Sequence, residues 1–261
     1  MSDTGCYLYA IAKPVDDDVI GGLRGVAGEP VRTVRHRDLV AVVGTVDTGA
    51  DGGFGADALR HHLNDLQWLE GMVRAHHAVV DGVARVVPTA PLRLATICDD
   101  DDGVRDRLDR WHDGFRRALD EVTGRAEWSV KVYAPPATEA SPEPAPAAPI
   151  GAPGSGAAYL RRRKAAATRR EDALAASLAA ADDVHAALSH AAADARRLAV
   201  QDQRLTGSDT PMSLNGAYLV ANDRADEFMD VVHSLRERHP RCRLDVAGPW
   251  PAYSFVTVEE Q

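Results

Sequence analysis

The sequence predicts an α+β protein of two domains, and three observations carry the prediction. Segments with two-residue apolar alternation are interleaved with segments of 3.6-residue apolar periodicity. Residues 135–157 hold 7 of the 15 prolines and no aromatic side chain, a composition that buries no core and reads as a partly extended linker. Residues 157–206 contain 18 Ala and neither Gly nor Pro, the mark of a long helix. The chain divides accordingly into an N-terminal α+β domain (1–134), a Pro/Gly-rich linker (135–157), a long Ala-rich helical segment (158–206) and a small C-terminal α+β domain (207–261).

In the first domain, strands are expected at residues 6–12, 31–36 and 39–46, separated by Gly-rich or charged turns. From Ala56 onward, Leu59, Leu63, Leu66, Leu69, Val73, Val80 and Val83 keep helical spacing, with a break placed at Gly71. Short strands are expected near 84–87 and 92–97. A second helix then carries Val104, Leu108, Trp111, Phe115, Leu119 and Val122 on one face. Residues 127–134 alternate, putting Trp128, Val130 and Val132 on one side of a strand. The Ala-rich helix has a seam of Leu174, Leu178, Ala181, His185, Leu188, Ala192 and Ala195, the spacing by which helices pack closely. The last domain begins with a strand at 214–221. A helix follows, buried through Phe228, Val231, Val232 and Leu235, capped by Asn222 or Asp223 and stopped by Pro240. Strands at 241–247 and 253–258 close it.

The 261 residues are 45% hydrophobic and 26% charged, the proportions of a soluble globular protein, with a formal net charge of −9. That charge argues against general binding of nucleic acid or anionic membranes. Only residues 158–206 are net positive, at +3. Cys6, Cys98 and Cys242 form no CxxC pair and are expected as reduced thiols in a cytosolic protein. The opening MSDTGCYLYAIAK has neither a basic start nor a long apolar run, so neither secretion nor a membrane span is expected.

The residues that could carry chemistry have simpler structural readings. His61, His62, His76 and His77 invite a metal, but His62 and His76 would be roughly 21 Å apart along a helix, and zinc ligands sit about 2 Å from the ion. His76 falls inside the apolar stripe and reads as a satisfied core histidine. Asp99 to Asp102 ahead of Gly103 match a calcium loop in part, with Cys98 and Asp109 at two ligand positions; an acidic helix start is the better reading. No GxSxG elbow or Walker sequence occurs, and GSGAAY at 154–159 lacks the last Gly of a dinucleotide fingerprint and the strand before it. Catalytic residues, cofactors and metals are therefore all expected to be absent. The alternative is a small-ligand-binding or metal-dependent enzyme using a cleft between domains.

Arg161, Arg162, Arg163 and Lys164, with Arg169 and Arg170, fall in the first turns of the long helix, where the dipole disfavours cations. They read either as a solvated charged face or as a contact for an acidic surface of another domain or partner; nucleic acid fits less well without interleaved aromatics. In GPWPAYSF the prolines stiffen a turn around Trp250, and Trp250, Tyr253 and Phe255 offer large contact areas. The structural reading makes these aromatics the plug of the small second domain, and the functional reading makes Trp250 and Tyr253 a partner contact.

Three stretches resemble the gas vesicle protein F/L family. They are EWSVKVYA at 127–134, GAAYLRRRK at 156–164, and an ending of NGAYLVA at 215–221 with GPWPAYSFV at 248–256. The similarity runs from Tyr7 to Val256 and includes the turn of Gly28, Glu29, Pro30 and Val31. It departs where the family tends to read Leu-Pro-Leu-Arg-Phe-Gly-Thr, since Leu94 and Ala95 replace Phe-Gly here. The resemblance implies a non-enzymatic, chaperone-like accessory protein of gas vesicle assembly, cytoplasmic or vesicle-associated, whose second domain resembles a modified ferredoxin-like fold. It implies as partners the major gas vesicle shell protein and other gas vesicle accessory proteins, with no cofactor, nucleic acid or membrane.

Overall fold

A computed structural model describes residues 4–49, 52–62, 64–134, 155–200 and 210–256. The expected linker falls outside these residues over 135–154, as do Leu63 and positions 201–206 of the expected helix. The chain forms two compact units, Met1–Glu127 with Pro249–Gln261, and Trp128–Gly248.

The first unit is built on the antiparallel strands β1 (Thr4–Ala12), β2 (Val31–His36), β3 (Leu39–Asp47) and β4 (Thr89–Pro91), in the order β2-β3-β1-β4. A two-residue strand, β5 (Ile97–Cys98), also pairs with β1. β1 is buried along nearly its whole length because both faces of the sheet are covered. One face carries Tyr7, Tyr9, Val40 and Val42 against the helix α3 (Leu66–Ala84) through Met72, Val79, Val80 and Val83. The other carries Cys6, Leu8, Ile11, Ala41 and Val43 against α4 (Asp101–Arg110) and α5 (His112–Val122) through Val104, Leu108, Phe115 and Leu119. A short α1 (Asp17–Ile20) and α2 (Ala56–His62) complete the unit.

Several boundaries differ from expectation for local reasons. The break before α3 lies at Asp65, not Gly71: the Asp65 carboxylate accepts from the N–H groups of Gln67 and Trp68 and starts a new helix. Gly71 has nothing near its absent Cβ and sits mid-helix without strain. The expected strand at 84–87 is the end of α3 and a turn, with Val87 N–H bonded to the Val83 carbonyl. The single helix over 104–122 is divided at Trp111, whose φ of −111° and ψ of 16° interrupt helical geometry. The acidic stretch starts α4 as read, its Asp100 side chain accepting from Gly103 N–H at 2.8 Å.

The second unit contains most of β6 (Arg125–Tyr133), α6 (Ser155–Ala191), β7 (Asp194–Arg197), β8 (Met212–Ala221), α7 (Ala225–Arg238) and most of β9 (Arg243–Trp250). Its sheet runs β7-β8-β6-β9. Val130 and Val132 pack with Tyr218, Val220, Phe228, Val232 and Leu235, and with Ala181, Val184 and Leu188 of α6. The alternation over 127–134 and the stripe of α7 are thus present. α7 begins after a 3₁₀ turn at Asn222–Arg224, and neither Asn222 nor Asp223 serves as its N-cap residue.

The Ala-rich segment does not stay helical to 206. α6 ends at Ala191, and Asp194–Arg197 pair with β8, Asp194 opposite Leu219 and Arg197 opposite Gly216. An open edge on β8 outweighs the local helix propensity of alanine. Of the expected seam, Ala181 and Leu188 are buried and His185 meets Tyr218 Oη at 3.0 Å, whereas Leu174 and Leu178 are exposed. The packed face is Ser177, Ala180, Ala181, Val184 and Leu188 instead, because α6 meets β8 and α7 only over its C-terminal half. A strand at 253–258 is not formed over the described residues to Val256, which turn. No described helix is long and apolar enough to cross a membrane.

Candidate functional site

α3 turns two adjacent histidines in opposite directions. His76 faces inward, 3% exposed, with its Nδ1 3.1 Å from Tyr7 Oη. Tyr7 Oη accepts from Ala95 N–H at 3.0 Å, so its own proton points to His76 and leaves the imidazole proton on Nε2. That Nε2 makes no hydrogen bond of normal geometry. Burial, with the His77 ring adding to it, pushes His76 down to about 4, and the Leu92 backbone offsets part of the shift. His76 is the core histidine read from the apolar stripe.

Beside it, Tyr9 donates to Glu29 Oε1 at 2.5 Å and accepts from Val26 N–H, while Glu29 Oε2 accepts from Ala27 N–H. The carboxylate fits because a Cβ on Gly44 would stand 2.0 Å from Oε1 and one on Gly25 still closer. The Gly28-Glu29-Pro30-Val31 turn is therefore anchored to β1 by its acid.

His77 faces outward and gathers the C-terminal segment. Trp250 packs edge-on at 5.4 Å between ring centroids, and Tyr253 lies at 5.9 Å with its Oη 3.4 Å from His77 Nδ1. Burial raises the Tyr253 phenol above its ordinary value, and the nearby Tyr7, Asp81 and Glu127 add to the shift. The segment is held from below. Glu127, 8% exposed, accepts from Ser254 N–H at 2.7 Å and from Ser254 Oγ at 2.6 Å. Phe255 is fully buried, and Val256 packs on the cluster of Leu8, Leu108 and Phe115. Gly248, within β9, holds φ 144°, a conformation that other residues resist.

This corrects the structural reading of GPWPAYSF. The aromatics plug no second domain: Pro249 onward belongs with the first unit, because Glu127 and the core under β1 hold it there. Trp250 remains 42% and Tyr253 37% exposed. Leu66 and Val73, also exposed, share the outer face of α3 with His77, eleven and four residues before it. The result is an exposed apolar face with a rigid base. Sequence reasoning singled out Trp250 and Tyr253, weighed His77 only as a metal ligand, and missed Glu127 and Ser254. Glu127 and Ser254 stand inside two of the quoted motifs, 127 residues apart, and nothing local couples them.

Arg161, Arg163 and Lys164 occupy the first turns of α6, in the second unit; the Arg162 side chain falls outside the described residues. All three are exposed, and among the described residues none forms an ion pair. The acidic surface that one reading sets opposite them is thus not found among the described residues. These cations belong to the second unit, and Trp250 and Tyr253 to the first.

Other candidates resolve into ordinary structure. His61 and His62 lie on α2, His62 stacked 5.0 Å from Trp68, while His76 and His77 lie on α3. Among the described residues no three His, Cys, Asp or Glu side chains gather as a metal site would need. Cys6 donates to Asp101 Oδ1 at 3.3 Å, and Asp101 also receives both terminal nitrogens of Arg32. Burial, reinforced by Asp101, pushes the Cys6 thiol up to about 11, away from the thiolate a nucleophile needs.

Comparison with known proteins accounts for the motifs. The model of the family "Gas vesicle synthesis protein GvpL/GvpF" matches residues 5–257. The chain is 42% identical over 255 residues to gas vesicle protein L of Streptomyces sp. (strain CB03234), covering 98% of this chain and 94% of that one. It is 28% identical to gas vesicle protein F of the same strain, over 96% of this chain and 98% of that one. The crystal structure of GvpF from Anabaena sp. PCC7120 superposes with a TM-score of 0.67 at 16% identity, covering 98% of both chains. That of GvpF from Microcystis aeruginosa gives 0.62 at 17% identity, covering 97% of this chain and 99% of that one. These two likenesses establish the mixed α/β fold with antiparallel sheets. A family match along nearly the whole chain, together with a relative sharing two residues in five, means that this chain belongs to the GvpL/GvpF family of gas vesicle synthesis proteins.

Proposed function

We propose that the protein is an accessory factor of gas vesicle assembly that binds the major shell protein and other gas vesicle proteins in the cytoplasm and at the growing vesicle. It works by contact and not by turnover. The observation that carries this reading is the exposed face of Trp250, Tyr253, His77 and Val73 over the Glu127–Ser254 clamp. A shell subunit must turn one surface away from water, and free copies expose apolar area that aggregates. Rigid aromatics with few torsions cover such area at low entropic cost. Arg161, Arg163 and Lys164 serve as a second contact, for an acidic partner. We read the second unit as a modified ferredoxin-like fold; its β-α-β-β-α-β order and its sheet order β7-β8-β6-β9 support this. Residues 135–157 act in this reading as a linker.

Co-expression with the major shell protein tests the proposal. The shell protein stays soluble and co-elutes with the wild-type chain, and Trp250→Ala with Tyr253→Ala lowers the co-eluting fraction at least about fivefold while circular dichroism is unchanged. Equal aggregation of the shell protein with and without this chain overturns it.

A further inference from the structure

The second unit has a feature that the aromatic face does not use. Between α6 and the end of α7 lies an open cavity of about 160 Å³, floored by Ala173, Ala176, Ser177 and Ala180 and walled by Arg238, His239, Pro240, Arg241 and Cys242. Its size narrows the choice of occupant. Sites for cofactors and drug-sized ligands run about 300–1,000 Å³, so this one has room for a single apolar side chain. Its polar groups are largely satisfied. Ser177 donates to Ser213 at 2.9 Å, and Arg238 and His239 both reach Asp183, at 3.0 and 2.8 Å. Arg241 is exposed and, among the described residues, has no acidic partner.

The same face continues along α6 toward its N-terminus. Tyr159, Ala166, Ala173 and Ala180 recur every seven residues, which keeps them within about 20° of one another per step on a helix. Alanines at this spacing leave a shallow groove into which another helix can come close. Arg163 and Arg169 flank it. Nearly all described residues from Tyr159 to Ala176 are exposed, so this half of α6 has little of its own chain to lean on. Cations in its first turns also oppose the helix dipole. In proteins most helical stability comes from packing of one face, and both deficits are relieved by one kind of partner.

We infer that this groove docks an acidic amphipathic helix of another protein, with one aliphatic side chain seated in the alanine-floored cavity and carboxylates against Arg163 and Arg241. Charge selects the occupant: the groove carries exposed cations on a chain whose net charge is −9, so an acidic partner is drawn to this strip. Nucleic acid is the poorer fit, since the floor is aliphatic and Tyr159 is the one aromatic along the strip to stack on a base. The inference rests on the reading that the protein acts by binding other polypeptides, and it names the chemistry of one partner at a surface separate from Trp250 and Tyr253.

Fluorescence anisotropy with the full-length chain tests it, using labelled amphipathic peptides of about 20 residues that carry Leu on one face and either Glu or Lys on the other. The Glu peptide binds, weakens with added salt, and loses at least tenfold in affinity to Arg241→Glu and to Ala176→Phe, which fills the cavity from an exposed position. Trp250→Ala leaves its affinity unchanged. Preferential binding of the Lys peptide, displacement of the Glu peptide by single-stranded RNA, or an affinity that neither variant moves overturns the inference. A chain that binds the Glu peptide but fails to keep the shell protein soluble contradicts the assembly reading alone; the reverse result contradicts this groove alone.

Discussion

Ala95 holds a backbone conformation with φ at 62°, in the left-handed region that costs a side-chain-bearing residue roughly 1–2 kcal/mol. It stands where the resembling family tends to have glycine. The strain persists because Ala95 N–H donates to Tyr7 Oη, which in turn sets the tautomer of His76. Ala95→Gly relieves the strain and gives back about 0.4–1 kcal/mol through the freer unfolded chain, for a net gain of about 0.5–1 kcal/mol. A thermal midpoint raised by about 2–3 °C checks this; an unchanged or lower midpoint refutes it. His76 itself makes stability depend on pH. Above about 6.5 the ring is neutral in folded and unfolded chains alike. Between that value and the folded value of about 4 the unfolded chain takes up a proton the folded one refuses, so stability falls as pH falls, by about 3 kcal/mol across the window. The carboxylates of Asp101, beside Arg32, and Asp183, beside His239, are held below their usual range and lose their contribution only at lower pH. Urea midpoints at pH 7 and pH 4.5 therefore differ in the wild type, and His76→Gln removes most of that difference. A His76→Gln curve parallel to the wild type would remove His76 as the cause.

At the scale of elements, apolar period was legible in amphipathic elements, and β3, buried on both faces, was legible as a continuous apolar run. The stripe of α7, the alternation in β6 and the strands β2 and β3 emerge within a residue or two of their expected bounds. Breaks were less legible. Asp65, three residues after the end of α2, caps α3, an act of a short polar side chain that a search for Gly and Pro passes over. Trp111 lies on the buried stripe of α4 and α5 and still interrupts them, since apolar spacing records what is buried and not how the backbone bends. β7 is the clearest case. Asp194–Arg197 follow an alanine-rich run and carry no strand signal, yet they pair with β8 because an unpaired strand edge is costly when a neighbour can reach it.

At the scale of the molecule, the chain leaves the first unit after Glu127 and returns at Pro249. The Glu127–Ser254 pair ties the departing and returning strands together within that unit. Glu127→Ala leaves the Ser254 amide and hydroxyl without this acceptor and costs about 2–3 kcal/mol, whereas Ser254→Ala keeps the amide bond and costs less. Amide exchange at Ser254 and thermal melting check the order; equal effects of the two variants would show that the clamp is not set by the carboxylate. Such a pairing also marks the limit of what a linear reading yields. The motifs around Glu127 and at residues 248–256 could be recognised, and they led to the family. Local composition and period determined the α+β class, the core stripes, the acidic start of α4 and the alanine-rich helix, because those depend on residues a few positions apart. Tertiary structure alone decided that Trp250 and Tyr253 stand on His77, that Ala173 and Arg241 border one cavity, and that β7 exists at all. Each of these depends on contacts between residues far apart in sequence, whose strength is set by burial and not by neighbours along the chain.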